Sequence, residues 1–240
     1  MPGRIALVGS GEYLPAMQSV EAWLLEGRAP RFVQLATAAA PEGDRSVDYW
    51  RRLGHEAAQR LGVEQVFVDV RTAEDADDPA LAALVSGAGA IYFSGGNPTY
   101  LAQTLAGSAV LRAVTDEWRA GASLAGCSAG AMVIGGYVPN IRHPRSGGTR
   151  GFGIVPGVHV LPHFDRYSSW MPGFAAHRLI GDGYTVVGID EETALIADPD
   201  DGDAWLFRPV GMRHAWIVTG DGQERVTELP LRVQATPSLG

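Results

Sequence analysis

The sequence predicts an α/β protein, a mostly parallel sheet flanked by helices, and three observations carry that expectation. Short continuous apolar runs recur through the first half of the chain, each followed by a segment with helical spacing. Four of these runs, those ending at Val8, Leu35, Phe93 and Cys127, empty into loops that carry glycine, at the strand ends where an open α/β sheet collects its ligands. From about Val158 onward the segments become shorter and more strand-like, which predicts antiparallel strands at one edge of the sheet.

The elements follow in order. Ile5 to Val8 is a continuous apolar run ending in Gly9-Ser10-Gly11-Glu12, and a helical pattern runs from Pro15 to Leu25. A second run, Phe32 to Leu35, leads through the loop Thr37 to Gly43 into a helix from about Ser46 to Leu61. A strand from Gln65 to Val70, a short helix around Pro79 to Val85 and a strand from Ala90 to Phe93 continue the alternation. After Ser94-Gly95-Gly96-Asn97 come helical stretches from Thr99 to Leu105 and Leu111 to Ala120, then a strand entering Gly126. The final strand-like segments are Val158 to Leu161, Thr185 to Ile189, Ala194 to Ala197, Ala204 to Phe207 and Ala215 to Val218. In an open α/β sheet, ligands collect beyond the carboxyl ends of the strands, so the loops there are where function is sought. Gly9-Ser10-Gly11 is not a dinucleotide fingerprint, because Leu14 stands where its third glycine is required.

The 240 residues suffice for a single α/β domain with a buried core, and no Pro/Ser-rich linker divides them. Only the tail after Leu229 is left by composition to disorder. A net charge of -8 excludes a broad basic face for nucleic acid or anionic membrane, and directs attention to small-molecule or peptide partners. A single cysteine excludes an internal disulfide, and the N-terminal segment lacks the long apolar core of a signal peptide, which together predict a cytoplasmic protein. No apolar window is long enough for a spanning helix.

The run Ser123-Leu124-Ala125-Gly126-Cys127-Ser128-Ala129-Gly130-Ala131 carries the chemistry. An apolar strand leads straight into GxSxG and then into small residues able to start a helix, the sequence form of a nucleophile elbow. Gly126 and Gly130 relieve crowding between strand and helix, while Ser128 takes the exposed apex as nucleophile. The N–H of Ala129 is left free at the helix start, where an oxyanion would form. Cys127 is expected to point inward as a small buried hydrophobe. Chance is the competing explanation in a chain with 31 glycines, and the strand before the motif and helix after it count against chance.

Serine needs a general base, and the base needs an orienting partner. His55 reads as a helix-surface residue, His143 lies in a basic loop, and His177 and His214 have no distinctive setting. In Val158-His159-Val160-Leu161-Pro162-His163-Phe164-Asp165 the proline ends regular pairing, so His163 falls in a loop at a strand's end. For the orienting acid the strongest cluster is Asp190-Glu191-Glu192, directly after an apolar strand. Alternation puts Asp190 and Glu192 on one face and Glu191 on the other, and does not say which face looks at His163.

Four blocks in this order resemble the serine peptidase family that contains aspartyl dipeptidase and cyanophycinase. They are Phe93-Ser94-Gly95-Gly96-Asn97-Pro98-Thr99-Tyr100-Leu101, Gly126-Cys127-Ser128-Ala129-Gly130-Ala131, Pro162-His163-Phe164 and Gly188-Ile189-Asp190-Glu191-Glu192-Thr193-Ala194. The resemblance implies a class I glutamine-amidotransferase-like three-layer sandwich and a Ser-His-Glu triad of Ser128, His163 and Glu191. It implies that the Gly96 N–H completes the oxyanion hole with Ala129, that Asn97 and an arginine contact substrate, and that no metal or organic cofactor is needed. A homodimer is typical of it.

The family cleaves after aspartyl residues, and an aspartyl carboxylate calls for a guanidinium able to bind it in a bidentate way. Arg142, Arg145, Arg150, Arg166 and Arg178 lie between elbow and acidic cluster, and Arg166, three residues past His163, is the leading candidate. The sequence departs from cyanophycinase after the histidine: Asp165 to Gly173 carries Trp170 and Met171 in place of an arginine-rich continuation. The expected function is therefore hydrolysis of aspartyl dipeptides or short peptides. The alternatives are a β-Asp-Arg hydrolase of the cyanophycinase kind and a non-catalytic binding module on the same fold. Glutamine amide transfer ranks last, because those enzymes carry cysteine at the position of Ser128.

Overall fold

The computed structural model describes residues 1–139, 148–167, 184–202, 204–219 and 221–234. In chain order the first half comprises β1 (Ile5–Val8), α1 (Gln18–Leu25), β2 (Arg31–Leu35), α2 (Asp44–Leu61), β3 (Glu64–Phe67), α3 (Ala73–Ala76) and α4 (Pro79–Ala83). There follow β4 (Ala90–Phe93), α5 (Pro98–Leu105), α6 (Ala109–Ala120), β5 (Ser123–Cys127) and α7 (Ala129–Ile134). The second half adds β6 (Tyr137–Val138), β7 (Thr149–Arg150), β8 (Val158–Leu161), α8 (Phe164–Tyr167) and β9 (Thr185–Ile189). It closes with β10 (Thr193–Ala197), β11 (Ala204–Gly211), β12 (Ala215–Thr219), β13 (Gly222–Arg225) and β14 (Leu229–Arg232).

The main sheet has the order β14-β11-β10-β1-β5-β4-β2-β3, parallel from β1 to β3 and antiparallel across β10, β11 and β14. Its central strands are buried on both faces, which is why they read as unbroken apolar runs. Alternate side chains go to opposite cores: Ile5, Leu7, Val33, Leu35, Ile91, Phe93 and Leu124 to one, Ala6, Val8, Phe32, Tyr92, Ala125 and Cys127 to the other. Each apolar layer must be covered by helices, and the result is the three-layer sandwich.

The C-terminal third differs from the expectation in its sheet pairing and in its tail. β10, β11 and β14 do form an antiparallel edge, but β8, β9, β12 and β13 make a separate sheet, in which β8 and β9 run parallel. Strand periodicity identifies a strand without naming its partner, so this division was not readable from spacing. The tail also departs from expectation. Leu229–Arg232 pairs with β11 and buries Leu229 and Leu231, because its alternation matches a strand with one face on the core. Two further short elements, α3 with its Thr72–Asp75 capping box and the 3-10 turn Thr37–Glu42, lie where the sequence reads as loop.

Candidate active site

The elbow sits where β5 ends and α7 begins, beside the carboxyl ends of β1 and β4. Ser128 has φ 50° and ψ −109°, a backbone that L-residues rarely adopt. Its N–H donates to the Val8 carbonyl at 2.9 Å, and its own carbonyl accepts the Met132 N–H, so strand and helix both hold the turn. The flanking glycines are required by space. A Cβ at Gly126 would lie 2.3 Å from the Gly130 carbonyl carbon, and one at Gly130 would lie 2.2 Å from the Phe93 carbonyl oxygen. Cys127 is fully buried on the opposite side, and burial pushes its thiol well above its ordinary range, leaving it a poor nucleophile.

His163 follows β8, also with a positive φ of 51°. Its Nε2 lies 3.1 Å from Ser128 Oγ and its Nδ1 3.0 Å from Glu191 Oε1, so the three side chains form one hydrogen-bonded line. Glu191 is fixed in turn by its backbone N–H, which donates to Asp165 Oδ1, while Asp165 Oδ2 pairs with Arg213 at 2.8 Å. The neighbouring acids go elsewhere. Asp190 accepts from Trp216 Nε1 and the His214 N–H, and burial raises its carboxyl above the usual range. The Glu192 side chain comes against Gly11, where a Cβ would lie 3.1 Å from its Cγ.

Gly96 has φ 138°, and a Cβ there would meet the Ala38 carbonyl oxygen at 2.4 Å, so only glycine fits. Among the described residues the N–H groups of Gly96 and Ala129 have no acceptor. Asn97 is engaged in structure: its Oδ1 accepts the Tyr100 N–H and caps α5, with Pro98 in the first turn. Arg166 donates from Nε to Glu191 Oε1 at 2.8 Å, the same oxygen that faces His163, and its side chain is 68% exposed. Arg150 is described on β7, and Arg142, Arg145, Arg178, His143, His177, Trp170 and Met171 lie outside the described residues.

Asp165, Arg213 and Glu12 were missed by sequence reasoning as parts of this arrangement. Asp165 lies two residues past His163, a spacing that could have suggested it, whereas Arg213 carries no local signal. Glu12 stands in the glycine loop after β1, and its Oε1 accepts the Gly95 N–H at 2.9 Å. Among the described residues no cluster of three or more His, Cys, Asp or Glu could hold a metal ion. No helix there is long and apolar enough to cross a membrane.

The sequence matches peptidase family S51 over residues 6–204. It is similar to the crystal structure of a peptidase from an acI-B1 Actinobacterium, at 42% identity and a TM-score of 0.85, over 96% of this chain and 97% of that one. It is also similar to the crystal structure of a putative peptidase E protein from Listeria monocytogenes EGD-e, at 17% identity and a TM-score of 0.62, over 89% of this chain and 100% of that one. At that identity the second likeness is one of fold. The comparison with curated proteins gives no match. A family match over most of the length, joined by a 42%-identical structure aligned nearly end to end, leads to one conclusion: the chain belongs to peptidase family S51 and is a serine-type peptidase.

Proposed function

We propose that this peptidase hydrolyses short aspartyl peptides, acting as a single α/β domain through an acyl-enzyme on Ser128. The observation that carries the reading is the continuous line from Ser128 Oγ through His163 to Glu191 Oε1, with separations of 3.1 and 3.0 Å. Ser128 attacks the scissile carbonyl while His163 Nε2 takes its proton. Glu191 holds the Nδ1–H tautomer and stabilises the imidazolium that results. The negative charge developing on the carbonyl oxygen is received by the N–H groups of Gly96 and Ala129. His163 then gives its proton to the leaving amine, and water, activated by the same ring, releases the aspartyl product.

Arg166 is the proposed receptor for the aspartyl carboxylate. Its Nε is anchored on Glu191 beside the reacting atoms, and the exposure of its side chain leaves the rest of the guanidinium open to substrate. Asn97, at the start of α5 next to Gly96, is the second proposed contact, through an amide nitrogen that has no partner among the described residues. A fluorophosphonate probe, which phosphonylates an activated serine, tests the nucleophile. Labelling of the wild type that disappears in Ser128→Ala is expected, and undiminished labelling of that variant contradicts the assignment.

A further inference from the structure

Glu12 is a buried carboxyl beside the reaction centre that the proposed chemistry leaves without a task. It is 3% exposed, in the loop between β1 and α1. Its Oε1 accepts the Gly95 N–H at 2.9 Å. A Cβ built on Gly95 would lie 3.2 Å from Glu12 Oε1 and 3.4 Å from Ser128 Cβ, so this carboxyl and the serine both border the same narrow space beside Gly95. The residues around Gly96 are fastened on both sides. Tyr13 Oη hydrogen-bonds Ser94 Oγ at 2.8 Å, and the Asn97 N–H donates to the Ala38 carbonyl at 2.7 Å. Ser94, Gly95 and Asn97, which flank Gly96, are thus each held by a hydrogen bond.

We propose that Glu12 is a positioning residue for the oxyanion hole: by holding the Gly95 N–H, it fixes the direction of the Gly96 N–H. The inference rests on the serine-peptidase reading in which Gly96 and Ala129 receive the oxyanion. Burial raises the carboxyl above its ordinary range, which favours the neutral form. Neutrality suits the place, because an ionised carboxylate this near a forming oxyanion would repel it. The role needs an oxygen at this reach and no charge.

The test compares kcat and KM for aspartyl dipeptide hydrolysis in the wild type, Glu12→Gln, Glu12→Asp and Glu12→Ala, with Ser128→Ala in parallel and folding checked by circular dichroism. Glutamine keeps an acceptor oxygen at the same reach, and its kcat is expected within about threefold of wild type. Aspartate withdraws that oxygen and alanine removes it, so kcat should fall on the order of 100-fold while KM changes less than about threefold. The aspartate variant reads the same loss should alanine fail to fold. The proposal is overturned if either folded variant keeps its kcat, if the loss lies in KM alone, or if glutamine falls as far as alanine. Retained activity in Ser128→Ala is a separate result, which removes the underlying peptidase reading as well.

Discussion

Ser128, His163 and Glu192 each hold a positive φ, at 50°, 51° and 52°. Such a backbone costs about 1–3 kcal/mol per non-glycine residue and persists only where the surroundings over-determine it. At Ser128 the determinants are the bonds to Val8 and Met132, and at His163 the bond from the Arg166 N–H to its carbonyl. Strain at Glu192 has a local consequence: the chain turns there, so three successive acids leave in three directions. The sequence could narrow the partner of His163 to this cluster but not choose within it. The choice depends on Trp216, which claims Asp190, and on Asp165, which holds Glu191, and both are remote in sequence or in another element. If Glu191 orients and charges against His163, Glu191→Gln keeps the volume and loses the charge. Its kcat should then fall on the order of 10³- to 10⁴-fold with the fold intact. Steady-state kinetics showing an unchanged kcat would remove Glu191 from the mechanism.

At the scale of elements, the elbow was the most legible part of the chain because its glycines are demanded by backbone contacts that local sequence encodes. The loop at Gly96, proposed to receive the oxyanion, was marked only through the family resemblance of its block Phe93 to Leu101. The bracing of that loop from β1 was not, since Glu12 and Tyr13 act across 83 and 81 residues of sequence separation. The brace itself depends on Glu21 of α1, whose Oε1 accepts the Tyr13 N–H at 2.7 Å, with Arg60 donating to the Tyr13 carbonyl. Burial pushes the Glu21 carboxyl up to about 7 from an ordinary 4.5. A carboxyl whose folded pKa is raised holds its proton longer in the native state, so it favours folding at low pH and loses that advantage as pH climbs through the raised value. Stability is expected to decline between pH 5 and pH 7 at up to about 1.4 kcal/mol per unit, with Glu12 acting in the same sense. Urea unfolding at the two pH values checks this, and Glu21→Gln should flatten the decline. A midpoint that rises toward pH 7 would contradict it.

For the whole molecule, the parallel half was readable because its strands are buried on both faces and its helices return over them, two facts that leave different periods in the sequence. The second sheet was not, since β8, β9 and β12 are as apolar as edge strands of the main sheet would be. Its presence matters for the site: β8 delivers His163, β9 delivers the acidic turn, and β12 holds that turn through Trp216. Two sheets therefore meet at the elbow, one bringing the serine and the other the histidine and its acid. On the proposed reading, this meeting makes an aspartyl peptidase. The most direct measurement is amino-acid release from α-Asp-Xaa dipeptides, β-Asp-Arg, and Glu-Xaa and Ala-Xaa controls, with Ser128→Ala beside the wild type. Release confined to aspartyl peptides and lost in the variant is the predicted result, and release that survives in the variant, or none from any aspartyl peptide, would contradict it.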